Sequence, residues 1–484
     1  MQIQQEIRKG TVIVFISRYS GVLIGILINS SLARLLSPSE FGVLGVVTVF
    51  ITFFNILSDI GIGSGIVQNQ NLDSRDTSDI FKLSVLLSIT LAIAFFLFSY
   101  LIADFYSNKE YIKICQLLAI NLFFSSIAVV PRNLLIKARA FKVTGLIDTC
   151  TALFTGIFAI FLALNNFSYY SMIWRSIVSS VIVFSLYYIF SGLKLQSKIS
   201  LVGIRKIAGY SSYQFAFNFI NYFSRNLDNI LIGKYMGNAS LGVYGQAYQL
   251  MIYPIAYLTN VITPVLHPIL AKFQDNKPVI FQEYTKVAGV LATLGFPISI
   301  FIFFAADEII ITLLGRQWLE VIPILKILSF SVWLQMILSS SGSIFQAAGR
   351  TDLLFLSGFL SAVLTIASIL FGIFYFKSLS VTATLLVVSY YVNFIQAFYL
   401  LISIVLKSSL WTFFKTVLRP LPMAITLAGV FILFNRLEAF TQISLSVVFT
   451  LLIKLGFLAI TFMLFEFSTL KKLSAPIIAK FAGR

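Results

Sequence analysis

One histidine, two cysteines and eighteen acidic residues are spread over 484 positions. His267 stands alone. Cys115 and Cys150 both fall inside apolar segments, and no CxxC occurs. A histidine- or cysteine-built metal centre and a disulfide framework are therefore excluded. There is no GxxxxGKS/T run, so no phosphate-cradling loop for ATP. Charge itself is scarce, at 11% of residues, where a soluble domain carries about 25%. The loops between apolar runs are short, so no soluble domain is inserted. The first ten residues lack the start of a cleavable signal with a small-residue cleavage site, and the first apolar segment reads as an uncleaved anchor.

What fills the chain is hydrocarbon: 58% of residues are hydrophobic, and the mean hydropathy is +0.94. The apolar runs are about 20 residues long, the length of a helix crossing a bilayer rather than the ten of a barrel strand. Fourteen spans are expected, the first near 11–33, the seventh near 207–233 and the last near 443–466. The formal net charge of +17 would suit nucleic acid, but the basic residues sit in short connectors, where they orient a membrane protein. With the N-terminus inside, about 23 Lys and Arg fall on the cytoplasmic side and about 8 outside. That asymmetry places both termini in the cytoplasm.

The most informative stretch is 207–235. It is apolar enough to span, yet Ser211, Gln214, Asn218, Asn221, Arg225, Asp228 and Asn229 recur every three or four residues and share one helix face. Such a face cannot meet acyl chains, and faces protein or a wet cavity. Polar faces recur in span 2 (Thr48, Thr52, Asn55, Asp59), in span 8 (Gln246, Gln249) and in span 10 (Gln335). Together they read as one vestibule.

A repeat is visible at an offset of 200. ARLLSPSEFGVLG (33–45) pairs with GKYMGNASLGVYG (233–245), matching Gly42 with Gly242 and Gly45 with Gly245. It aligns span 1 with span 7 and leaves six spans per unit. Six is even, so the implied pseudo-twofold runs along the membrane normal. The domains expected are 1–192, a linker at 193–206, 207–404, and a pair of extra spans with a tail at 405–484.

LLSPSEFGVLG, SDIGIGSGIVQ and TPVLHPILAKFQDN resemble the polysaccharide-exporter branch of the multidrug/oligosaccharidyl-lipid/polysaccharide flippase superfamily. The resemblance covers essentially the whole chain. His267 departs from it, standing where that motif favours an aromatic residue. The resemblance implies two six-helix bundles in a V shape, plus two C-terminal helices. It also implies carriage of an undecaprenyl-diphosphate-linked glycan across the bacterial cytoplasmic membrane. The partners it implies are that glycan, membrane lipid, and the polymerase and glycosyltransferases of the same pathway. The unit is expected to be monomeric, with no cofactor and no enzymatic activity.

Arginine stays charged and grips phosphate with a planar fork. Arg18, Arg225 and Arg175 are therefore the expected diphosphate ladder, with Gln214, Asn218, Asn221, Asn229, Gln246, Gln249 and Gln335 facing sugar hydroxyls. Asp59 and Asp228 are candidates for ion coupling or for balancing Arg18 and Arg225. Lys454 reads as a snorkelling side chain or one facing span 13. Asp73, Asp76 and Asp79 read as a solvated cap, and Gly61-x-x-x-Gly65 as a close-packing helix face. The rival readings are a cation-coupled drug antiporter, disfavoured by three arginines in the spans, and a polymerase or ligase, disfavoured by the short outer loops.

Overall fold

A computed structural model describes residues 2–59, 61–69, 72–196, 222, 226–441 and 445–481. They are almost entirely helical. In chain order the helices are α1 (Gln2–Leu35), α2 (Pro38–Asp59), α3 (Ile62–Gln68), α4 (Ser74–Tyr106), α5 (Glu110–Ile127), α6 (Val129–Lys137), α7 (Phe141–Leu164) and α8 (Tyr170–Ser191). There follow helical residues 226–235, then α9 (Gly237–Leu270), α10 (Lys277–Phe304), α11 (Ala306–Leu313), α12 (Val321–Ser329), α13 (Val332–Ala347), α14 (Thr351–Leu370), α15 (Leu379–Phe398), α16 (Leu410–Val417), α17 (Leu421–Thr441) and α18 (Val447–Phe481).

Among the described residues ten helices are long and apolar enough to cross a membrane, or eleven if α12 and α13, bent by 56°, form one span. Expected spans 1 and 7 are incompletely described: only Tyr19–Leu35 of α1 enters this assessment, and most of 207–233 lies outside the described residues.

Helix α4 shows why the fold belongs in lipid. It buries Ser84, Ser88 and Ser99, while Leu86, Ile93, Leu97 and Leu101 are exposed. A water-soluble helix has the opposite arrangement. Here the solvent is hydrocarbon, and small residues let the backbones approach. The start of α4 is a capping box: Asp76 N–H donates to Asp73 (2.7 Å), and Asp73 N–H donates to Asp76 (3.2 Å). The expected cap is present and its Asp73 is exposed, but Asp76 and Asp79 are not solvated, each being 5% exposed. They sit under the chain at 193–196, where Gln196 N–H donates to Ser78 (2.9 Å).

The SPSE run explains itself in the same way. Pro38 opens α2, where a missing N–H costs nothing. Glu40 accepts from the Ser37 amide (2.6 Å) and hydroxyl (2.8 Å), a serine–glutamate cap of the capping-box type. At its far end α2 breaks. Gly61 takes the left-handed conformation (φ 74°), and α3 continues from there. Gly61 is thus a hinge residue and not part of a helix-packing face, because a turn here needs a positive φ.

Two compact units are present, Met1–Gly242 and Val243–Arg484. The division falls inside α9, later than the linker expected at 193–206, whose residues 197–206 lie outside the described residues. In the first unit α4 packs on α5, α1 on α7, and α8 on both α5 and α7. In the second, α10 is the hub, meeting α12, α13, α16, α17 and α18.

The two repeated loops meet within the first unit. A Cβ placed on Gly42 would stand 1.7 Å from the Asn238 carbonyl oxygen, and one on Gly242 would stand 2.0 Å from the Pro38 carbonyl oxygen. Asn238 and Pro38 are themselves 200 residues apart, so the contact is reciprocal.

Candidate functional site

In the first unit the residue of most interest is Arg175. It is the sixth residue of α8, about 8 Å along the helix at 1.5 Å per residue, and is partly buried. Among the described residues it has no hydrogen-bond or ion-pair partner. Its neighbour anchors the backbone: Asn121 of α5 donates to the Ser176 carbonyl (2.7 Å). A guanidinium in a membrane helix without a carboxylate is costly, and it leaves five N–H donors for an anion.

The span 2 stripe divides. Thr48 and Thr52 are exposed. Asn55 is engaged, accepting from Ser125 of α5 (2.7 Å). Asp59 accepts from Gly63 N–H (2.9 Å) across the α2–α3 break, where it caps an orphan donor of the new helix. Asp59→Asn, which keeps an acceptor, is expected to melt at the wild-type temperature, and Asp59→Ala to lose about 1 kcal/mol. An Asp59→Asn protein that folds normally but fails to export would assign the carboxylate to coupling instead.

Gln214, Asn218, Asn221 and Arg225 lie outside the described residues, as does the side chain of Arg18. The pairings Arg225–Asp228 and Arg18–Asp59 therefore lie outside them too. Asp228 is 7% exposed and accepts from Asn229 N–H (2.8 Å).

In the second unit Gln246 is 4% exposed, and Gln249 donates to the Tyr253 hydroxyl one turn on (2.6 Å). Gln335 of α13 donates to Ser331 (2.8 Å), whose hydroxyl points at the sulfur of Met251 on α9 (3.4 Å). Span 10 and span 8 do touch, through a polar contact next to the α12–α13 bend.

Three features escaped the reading of the sequence. Lys454 of α18 does not snorkel; it lies beside Asn435 and Glu438 of α17, and its charge is met on another helix. Its ammonium is 2.6 Å from Glu308 of α11 and donates to the Phe304 carbonyl (2.8 Å), with side chains 3% and 14% exposed. The α10–α11 break at Ala305 exposes that carbonyl, and no local pattern links positions 146 residues apart. Asp307 pairs with Lys326 (2.5 Å) at the same place. Asn393 Oδ1 and both side-chain polar atoms of Gln396, on one face of α15, are buried without a partner. Their spacing of three was visible in the sequence but was not singled out.

An inside-out helical protein with arginine and amides buried among apolar spans is a polytopic membrane protein of the transporter kind, and solved structures share its fold. The lipid II flippase MurJ in an inward closed conformation superposes with a TM-score of 0.72 at 14% identity, covering 96% of this chain and all of that one. An inward-facing multidrug resistance MATE transporter of the MOP superfamily gives 0.57 at 15% identity, covering 78% and 93%.

The family model described as polysaccharide biosynthesis protein matches residues 31–323, and the chain belongs to that family. Among its relatives are the teichuronic acid biosynthesis protein TuaB of Bacillus subtilis, 27% identical over 380 residues and 76% of each chain. The lipopolysaccharide biosynthesis protein WzxC of Escherichia coli is 26% identical over 397 residues, 80% of this chain and 79% of its own.

Proposed function

We propose that this protein is a flippase that carries an undecaprenyl-diphosphate-linked oligosaccharide across the bacterial cytoplasmic membrane by alternating access, for export of a surface polysaccharide. The observation that carries the reading is the family match, extended over three quarters of the chain by relatives named for teichuronic acid and lipopolysaccharide biosynthesis. The fold shared with a lipid II flippase over 96% of the chain is of the kind such work needs.

The diphosphate is the difficult part of the load, since its two charges resist hydrocarbon. Arg175, without a partner among the described residues, supports the arginine ladder in which Arg18 receives the diphosphate, Arg225 holds it further out and Arg175 assists release. Gln214, Asn218, Asn221, Asn229, Gln246, Gln249 and Gln335 line the sugar's path in this reading. Gln249 and Gln335 keep their carbonyl oxygens for hydroxyl donors while their amides are held. Both termini lie in the cytoplasm in this reading. An anion moving outward descends an inside-negative potential. For two charges at about 100 mV this supplies roughly 4–5 kcal/mol. That is enough to drive flipping without ATP; Asp59 and Asp228 are the residues through which an ion would couple if one does.

The test is export in a strain lacking its own polysaccharide flippase. The wild-type gene is expected to restore surface polymer, and Arg175→Glu and Arg225→Glu each to reduce it at least tenfold at equal protein level. Full export by both variants would remove the ladder.

A further inference from the structure

The second unit holds a cavity of about 400 Å³ beside the α10–α11 break, walled on the other side by α17 and α18. That is the size of a small-molecule pocket. Its lining is unusual for a membrane domain: Asp307, Glu308, Lys326, Asn435, Glu438 and Lys454, with Phe303 and Phe304. Two ion pairs consume both lysines, Lys326 with Asp307 and Lys454 with Glu308. What remains is acceptor-rich. Glu308 Oε2 is buried with no partner. Glu438 brings a third carboxylate against two ammonium groups, a net charge of −1, and Asn435 stands one turn before it on α17.

Those residues decide between ligands. The described residues hold no group of three side chains placed for a metal ion, and the cavity is far larger than one ion. The negative balance and the occupied lysines disfavour an anion. The apolar wall is two phenylalanines, too little for a lipophilic drug. A hydroxyl-rich ring fits: hydroxyls or an ammonium donate to the Glu438 carboxylate, the Asn435 amide supplies both a donor and an acceptor, and the phenyl rings offer π faces to the C–H groups of the sugar.

We propose that this cavity binds one sugar residue of the carried glycan, neutral or amino-bearing, through Glu438 and Asn435. The proposal rests on the glycan-carrier reading and adds a contact site built by the two C-terminal helices, apart from the arginine ladder. It also sets a specificity: a uronic acid sugar is repelled by the same carboxylates.

The experiment is saturation-transfer NMR on the full chain in lipid nanodiscs, with methyl α-glucoside, glucosamine and glucuronate as probes. Transfer to the first two is expected, with glucuronate at least fivefold weaker. The double variant Glu438→Gln with Asn435→Ala, both on the accessible wall, is expected to lose the signal at least fivefold with an unchanged melting temperature. No transfer to either sugar, a signal that survives the double variant, or glucuronate binding as well as the glucoside each overturns the proposal. The flippase reading is read separately by the export assay. Sugar transfer in a protein that fails to restore export would overturn that reading and leave the pocket standing.

Discussion

Gly42→Ala and Gly242→Ala are each expected to eliminate folded protein, seen as loss of the monodisperse peak in size-exclusion chromatography of a fluorescent fusion. The added methyl on residue 42 would lie 1.7 Å from a carbonyl oxygen, and that on residue 242 2.0 Å from another. Both obstacles are backbone, so no rotamer change relieves them. Two chain segments must separate by more than an ångström, which breaks the packing of both repeated loops. Ordinary overpacking costs about 1–3 kcal/mol; this displacement exceeds it. Asn238 is also held from the other side, accepting from the Tyr111 hydroxyl (2.8 Å), so it has little room to retreat. Gly21→Ala is the control. Nothing lies within 4 Å of its added carbon, and alanine favours the helix by up to about 1 kcal/mol. A Gly42→Ala protein that accumulates and elutes like wild type would refute the close approach.

Lys454→Met carries the second large expected effect. Removing the ammonium leaves Glu308 charged at 14% exposure and the Phe304 carbonyl without its donor. Breaking a buried pair from one side costs about 3–5 kcal/mol. Scanning calorimetry or fluorescence melting of the purified protein should show a drop of several degrees. Replacing both partners, Lys454→Met with Glu308→Met, should recover most of it, because the uncompensated charge disappears with its partner. An unchanged melting temperature in the single variant would show that the pair is not buried as described. Because α18 reaches α11 through this pair, the same measurement reports how firmly the C-terminal helices are attached.

The features legible in the sequence were those carried by period and spacing. The apolar segments follow from hydropathy, and the Asp73–Asp76 cap follows from an aspartate three residues before a carboxylate. Gly42 and Gly242 follow from a repeat that preserved glycine where two backbones touch. What was not legible depends on distant contact. Lys454 found its carboxylate on α11 because the α10–α11 break exposed a carbonyl there, and nothing near position 454 encodes that break. Gly61 read as part of a packing face because glycines four apart look the same whether they sit on a helix or one of them turns it. Asp59 read as a residue for ion coupling or charge balance, and nothing in the spacing announced that its carboxylate also caps Gly63. The candidate site was legible as a set of residue types, Arg175 among them, and three dimensions add that it meets no partner among the described residues.

Among the described residues, several buried hydroxyls bond backward within their own helix: Ser88 to Ser84, Thr155 to Thr151 and Ser389 to Leu386. A hydroxyl satisfied by its own backbone makes no directional demand on the neighbouring helix. Surfaces built this way can shear past one another without first breaking a bond between them. A carrier that must reopen on the opposite face of the bilayer at every cycle therefore meets little friction along these seams, and its resistance to motion is concentrated at the few places where one helix does grip another.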